Sequence, residues 1–178
     1  WTGGKLSSSS NTGYTLANAS SVSGSVQLGD VLNTGNLTLS GNMALTGNTV
    51  LSTFGSGTGN FTKDVIGSGM GGQSISGTVS GAFSLTKDGA GGLILSASNT
   101  LSGGFTLRQG ILRVANNAAL GTGAVTILGG QLSSNSATAY TLANAVTLGG
   151  DVTLGDGLST GALTFSGTST LTGNRTLI

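Results

Sequence analysis

Five aspartates and six cations are all the charge this chain has with which to do chemistry. The acids are Asp30, Asp64, Asp88, Asp151 and Asp156; the cations are Lys5, Lys63, Lys87, Arg108, Arg113 and Arg175; histidine and cysteine are absent. Polysaccharide cleavage is the chemistry such a set could attempt, because it needs converging carboxylates, or calcium-holding acids beside a basic residue. Asp30 and Asp156, however, fall at equivalent positions of a sequence repeat, which favours a corner role over a unique active site. Nucleophilic catalysis has less support: no histidine can activate a serine, and no G-x-S-x-G elbow occurs. The chain is therefore expected to have no catalytic, cofactor or metal site.

Other motifs reduce to structural readings. The stretch from Gly149 to Asp156 is similar to calcium-binding nonapeptide repeats, but it is not tandem, and the matching segment has Ser25 where this one has Asp151. Gly67, Gly69 and Gly72 form a G-x-G-x-x-G string with no helix after it and no acid about 20 positions on, so it reads as a loop or bulge. N-x-[ST] sequons begin at Asn18, Asn36, Asn60 and Asn174, as chance gives in so Asn-, Ser- and Thr-rich a chain. Threonine arrays on solenoids can match ice, but T-x-T pairs do not recur in register along the sequence. The six cations are scattered where a phosphate-tracking protein would cluster them, so no nucleic-acid partner is expected, and each is read as a solvated turn or face position. No apolar run approaches the roughly 18 to 20 residues of a spanning helix.

What positions these residues is a repeat. Gly3 to Ser52 aligns without a gap on Gly129 to Ile178, an offset of 126, with 30 of 50 positions identical. The identities include Leu6/Leu132, Leu16/Leu142, Val26/Val152, Leu28/Leu154, Leu37/Leu163 and Leu45/Leu171, the positions a buried face would hold. Beneath it runs a finer pattern of four to six residues alternating apolar with Thr or Ser between Gly, Asn and Asp, which predicts short strands joined by turns. Thr62-Lys63-Asp64 returns as Thr86-Lys87-Asp88, an offset of 24 that suggests two coils one above the other. With 34 glycines, no proline and only 6% charged residues, the chain fits a solenoid, whose strands all pair up and down and whose corners need glycine. Inward positions are expected to include Leu16, Val26, Leu28, Leu37, Leu95, Leu107, Leu112, Val125, Leu142, Val152, Leu154 and Leu163.

The run from Lys87 to Leu132 resembles the passenger-associated β-strand repeat of bacterial autotransporters. Its shared features are Lys87-x-Gly89-x-Gly91, Leu93-Ile94-Leu95, Asn99-Thr100 before Ser102-Gly103-Gly104, and Phe105-Thr106-Leu107. They continue through Gly110-Ile111-Leu112, Ala119-Leu120-Gly121, and Val125-Thr126-Ile127 closing on Gly129-Gly130-Gln131-Leu132. The resemblance implies an all-β, right-handed parallel β-helix that folds outside the bacterial cell as an adhesin, stalk or scaffold. The family's C-terminal membrane barrel is not in this sequence, and the chain is read as one segment of a longer repetitive parent.

Residues 53–81 break the pattern, placing Phe54, Phe61 and Met70 among glycines, and form the expected partner-binding surface if one exists. The alternative is that Phe54 and Phe61 plug the core. Because both termini fall inside the repeat, self-association or end-to-end stacking into a fibre is expected, or else a longer parent chain; any host-surface or matrix ligand is unspecified. The functional expectation is a non-catalytic extracellular or cell-surface stalk or fibre segment, with a β-helical polysaccharide-active enzyme or carbohydrate-binding surface protein as the alternative.

Overall fold

In the computed structural model, residues 1–8, 12–30, 35–54, 72–157 and 160–178 are described. They contain strands and no helix. In chain order these are β1 (Gly4–Leu6), β2 (Tyr14–Leu16), β3 (Ser20–Leu28), β4 (Leu37–Leu39), β5 (Met43–Thr53), β6 (Gly72–Ile75), β7 (Val79–Ser80), β8 (Leu85–Asp88) and β9 (Gly92–Leu95). They continue as β10 (Phe105–Leu107), β11 (Ile111–Val114), β12 (Val125–Ile127), β13 (Gln131–Ser134), β14 (Tyr140–Leu142), β15 (Val146–Leu148), β16 (Thr153–Leu154), β17 (Leu163–Phe165) and β18 (Ser169–Leu171).

Every named pairing is parallel, and the strands stack as a β-solenoid of about six turns. One sheet runs β1-β3-β5-β8-β10-β12-β15-β18, with β7 also on β5; a second runs β16-β13-β11-β9-β6-β4-β2; β14 and β17 form a third. Short strands alternating apolar with Thr choose this arrangement because one face of each can be buried inside the coil while both edges find a rung to bond. Phe105-Thr106-Leu107 and Val125-Thr126-Ile127 show it directly, with the outer two residues buried and the threonine half-buried on the outside. Like residues stack: Thr86, Thr106, Thr126, Thr147 and Thr170 form one outward column.

The core is a single column of Leu, Val, Ile and Phe. Ten of the twelve residues expected inward are buried or pack on it, and Leu154 and Leu163 are among those that pack partly buried. Val22 and Gly24 flank a bulge in β3, which lets that strand turn a corner that its counterpart makes by breaking into β15 and β16. Leu16 corrects the expectation, since it is exposed: β2 has a bonded neighbour only in β4, so nothing covers its other edge.

Coils in the middle are regular, with Leu85 under Phe105 and Phe105 under Val125, twenty residues apart each time. The coil from Thr49 to Leu85 is 36 residues long and includes 55–71, which lie outside the described residues. Within the stretch expected to be irregular, 72–81 instead carries β6 and β7, both paired into the ladders. The rung below Thr86–Asp88 is Val50–Ser52, so the 24-residue recurrence is not one coil; Thr62–Asp64 falls outside the described residues.

Candidate functional site

The charged side chains gather at corners, and two of them are inside the protein. Lys87 stands in the inward column between Leu51 and Leu107, where a leucine would be expected, and is fully buried. Its Nζ donates to the carbonyl oxygens of Asp88 at 2.9 Å, Gly89 at 2.7 Å and Gln109 at 3.0 Å, so that all three N–H groups are used. Burial pulls its pKa down to about 7, against the opposing attraction of the Asp88 carboxylate. Burial also acts to raise the Asp88 carboxyl, but the Gly89 amide at 2.9 Å, Gln109 at 2.8 Å, Arg108 and Lys87 together hold it below its ordinary value. Gly110 closes this corner at φ +78, and a Cβ there would meet the Gly89 carbonyl oxygen and, at 2.7 Å, the Lys87 Nζ.

Arg113 is the second buried cation. It lies on β11 beside Ser133 of β13 and reaches to the turn after β16, where a guanidinium nitrogen stands 3.0 Å from Asp156 Oδ2. Ser133 Oγ donates to the same oxygen at 2.8 Å. This strap spans three rungs where the ladder is thinnest, since β13 and β16 share two residue pairs while β11 and β13 share four. The expectation that Lys87 and Arg113 are solvated is thus overturned: each is drawn in by fixed oxygen acceptors that replace water.

The remaining described acids have similar employment. Asp30, the repeat counterpart of Asp156, faces Lys5 at 3.4 Å in a half-exposed pair. Asp151 Oδ1 accepts the Thr176 amide at 2.9 Å. Asp64 lies outside the described residues. Asn99 is buried in the same structural manner: its Oδ1 accepts the Val79 amide at 2.7 Å and its Nδ2 donates to the Ala119 carbonyl at 2.6 Å, tying the coil below to the coil above. Asn144 donates to the carbonyls of Gly121 and Gly123.

Of the expected partner surface, Phe54 is half-buried at the end of β5 and lines a shallow depression of about 420 Å³ with Lys5, Ser25, Gln27 and Ser52. Phe61 and Met70 lie outside the described residues, so the structure does not bring the three together. Sequence reasoning missed Lys87, although a signal existed: in Leu85-Thr86-Lys87-Asp88 the period of two places Lys87 on the same side as Leu85. Arg113 offered none, because its partner is on a turn two coils away.

Comparison with known proteins agrees with this reading of the corners. Residues 85–114, from β8 through β11, match the passenger-associated-transport-repeat family. The stretch holds the buried Lys87, the Asn99 tie and Arg113. It bears out the resemblance to autotransporter passenger repeats, and the matching family is a structural repeat rather than an enzyme family. No curated protein and no solved structure matches the chain.

Proposed function

We propose that this chain is a non-catalytic, extracellular or cell-surface stalk segment of an autotransporter-like passenger, serving adhesion or display rather than turnover. The observation that carries the reading is the use made of the acids. Asp30, Asp88, Asp151 and Asp156 are each bonded to a group that fastens one rung or corner to another. A carboxylate engaged in this way is poorly placed to exchange protons with a substrate, and glycoside cleavage needs two free to do so. The passenger-repeat match supports the location outside the cell.

The test is release of reducing or unsaturated ends from neutral and acidic polysaccharides. No release above background is expected. Turnover that disappears in an Asp88→Asn, Asp151→Asn double variant of unchanged thermal stability would overturn the proposal in favour of a polysaccharide-active enzyme.

Self-association belongs to the same proposal. Strands β1 and β18 each bond a single neighbour in their sheet, and an uncovered rung presents N–H and C=O groups that template another strand. Sedimentation is expected to show concentration-dependent growth by end-to-end contact; a discrete monomer at high concentration rules it out.

A further inference from the structure

The pairing registers relate the two sequence copies in a way that neither copy shows alone. Within each copy the same partners meet. Lys5 pairs with Gln27, and Gln131 with Thr153; Leu16 pairs with Leu39, and Leu142 with Phe165; Val22 pairs with Leu45, and Leu148 with Leu171; Val26 pairs with Leu51, and Val152 with Leu177. Each second pair is the first moved by 126 residues. The copies therefore fold alike, although they are not stacked in line.

Climbing the ladder from Gly4 leads through Val26, Leu51, Lys87 and Leu107 to Ile127, five coils up on the same side. The counterpart of Gly4 is Gly130, which is past the corner and begins the next side at β13. Climbing from Leu16 leads through Leu39, Ile75, Leu95 and Val114 to Ser134, again five coils. Its counterpart, Leu142, is again one side further on, in β14. A coil has three sides, as β14, β15 and β16 show before β17 returns above β14.

From these registers we infer that the 126-residue unit is a screw: one copy becomes the other by rising five coils and turning by one side of the solenoid, about a third of a turn. The rotation keeps inward residues inward, which is why Val26/Val152 and Leu28/Leu154 face the core in both copies. What changes is the direction of the outward residues. Thr15 and Thr141, equivalent in sequence, point from different sides of the rod. A partner that reads the surface common to both copies is engaged on two sides, so several separate molecules or a surrounding matrix can occupy both, and a single flat surface cannot.

Electron spin labels measure this directly on the intact chain. Thr15→Cys with Thr141→Cys joins copy-equivalent sites. Lys5→Cys with Leu128→Cys is the in-line reference, because Leu128 follows Ile127 in the ladder that passes beside Lys5. At about 4.8 Å per coil the reference pair is expected near 24 Å. The copy-equivalent pair is expected about 10 Å longer, the added offset of one side of three to five residues at roughly 3.3 Å each. Thr38→Cys with Thr164→Cys should repeat the longer distance, and unchanged circular dichroism keeps the comparison valid. Equal distances for the copy-equivalent and in-line pairs overturn the screw.

Discussion

Leu16 and Leu142 are one residue of one repeat seen twice, and the first is 37% exposed while the second is fully buried. The opposite holds at the other end of the copies, where Leu45 is 3% exposed and Leu171 is 53%. Neither identity nor local pairing differs between the members of each pair. What differs is whether a further coil lies against them: Leu142 has the 115–124 segment beneath it, tied on by the Asn144 bonds to Gly121 and Gly123, and Leu45 lies within the stacked coils under β7 and the turn after it. Burial in a solenoid is a property of position in the stack, and the same sequence can supply core in one place and an open rung in another.

The sharpest way to break this comparison is through the equivalent aspartates. Asp156→Ala leaves Arg113 buried without its carboxylate and is expected to cost about 3 to 5 kcal/mol in chemical denaturation. Adding Arg113→Met is expected to recover most of that loss, since two unmatched groups are less costly to remove than one is to strand. The leucines come next. Leu142→Ala is expected to lose about 2 to 5 kcal/mol and Leu16→Ala no more than about 0.5, both read from urea midpoints at constant slope.

Lys87 gives the third effect, and its sign is fixed by the direction of its shift. Its folded pKa is about 7, below the unfolded value of 10.5, so between these pH values the unfolded chain holds a proton that the folded chain does not. Stability should therefore rise with pH through that window, by up to about 1.4 kcal/mol per pH unit, and be insensitive to Lys87 below it. In Lys87→Met the slope should vanish, whereas an unchanged slope would assign it to other groups. Asp30→Ala, which removes a half-exposed pair with Lys5, is the smallest change, with an expected loss of about 0 to 1 kcal/mol. A loss as large as that of Asp156→Ala would mean the two corners are equivalent in energy as well as in sequence.

The strands and the inward set were legible because period two and the 126-residue echo both mark the same leucines and valines, as at Val26/Val152. The parallel stack followed from short strands with no tolerance for proline. Three features were not legible, each for a physical reason. The side on which a strand falls depends on coil length, which varies from 20 to 36 residues, so the recurrence of Thr-Lys-Asp misled. Arg113 finds its acid only after the coil between β13 and β16 has closed. Leu16 carries every mark of a core residue and is exposed because of what lies next to it.

The Arg113–Ser133–Asp156 strap has a mechanical consequence. Bonds between rungs lie along the rod, so a pull on its ends loads the interfaces in series, and the assembly yields at its weakest joint whatever its length. The two-pair joint between β13 and β16 would be that joint if backbone bonds alone resisted. By gripping across it from β11, the strap shares tension between two successive interfaces and shifts the first rupture elsewhere along the rod.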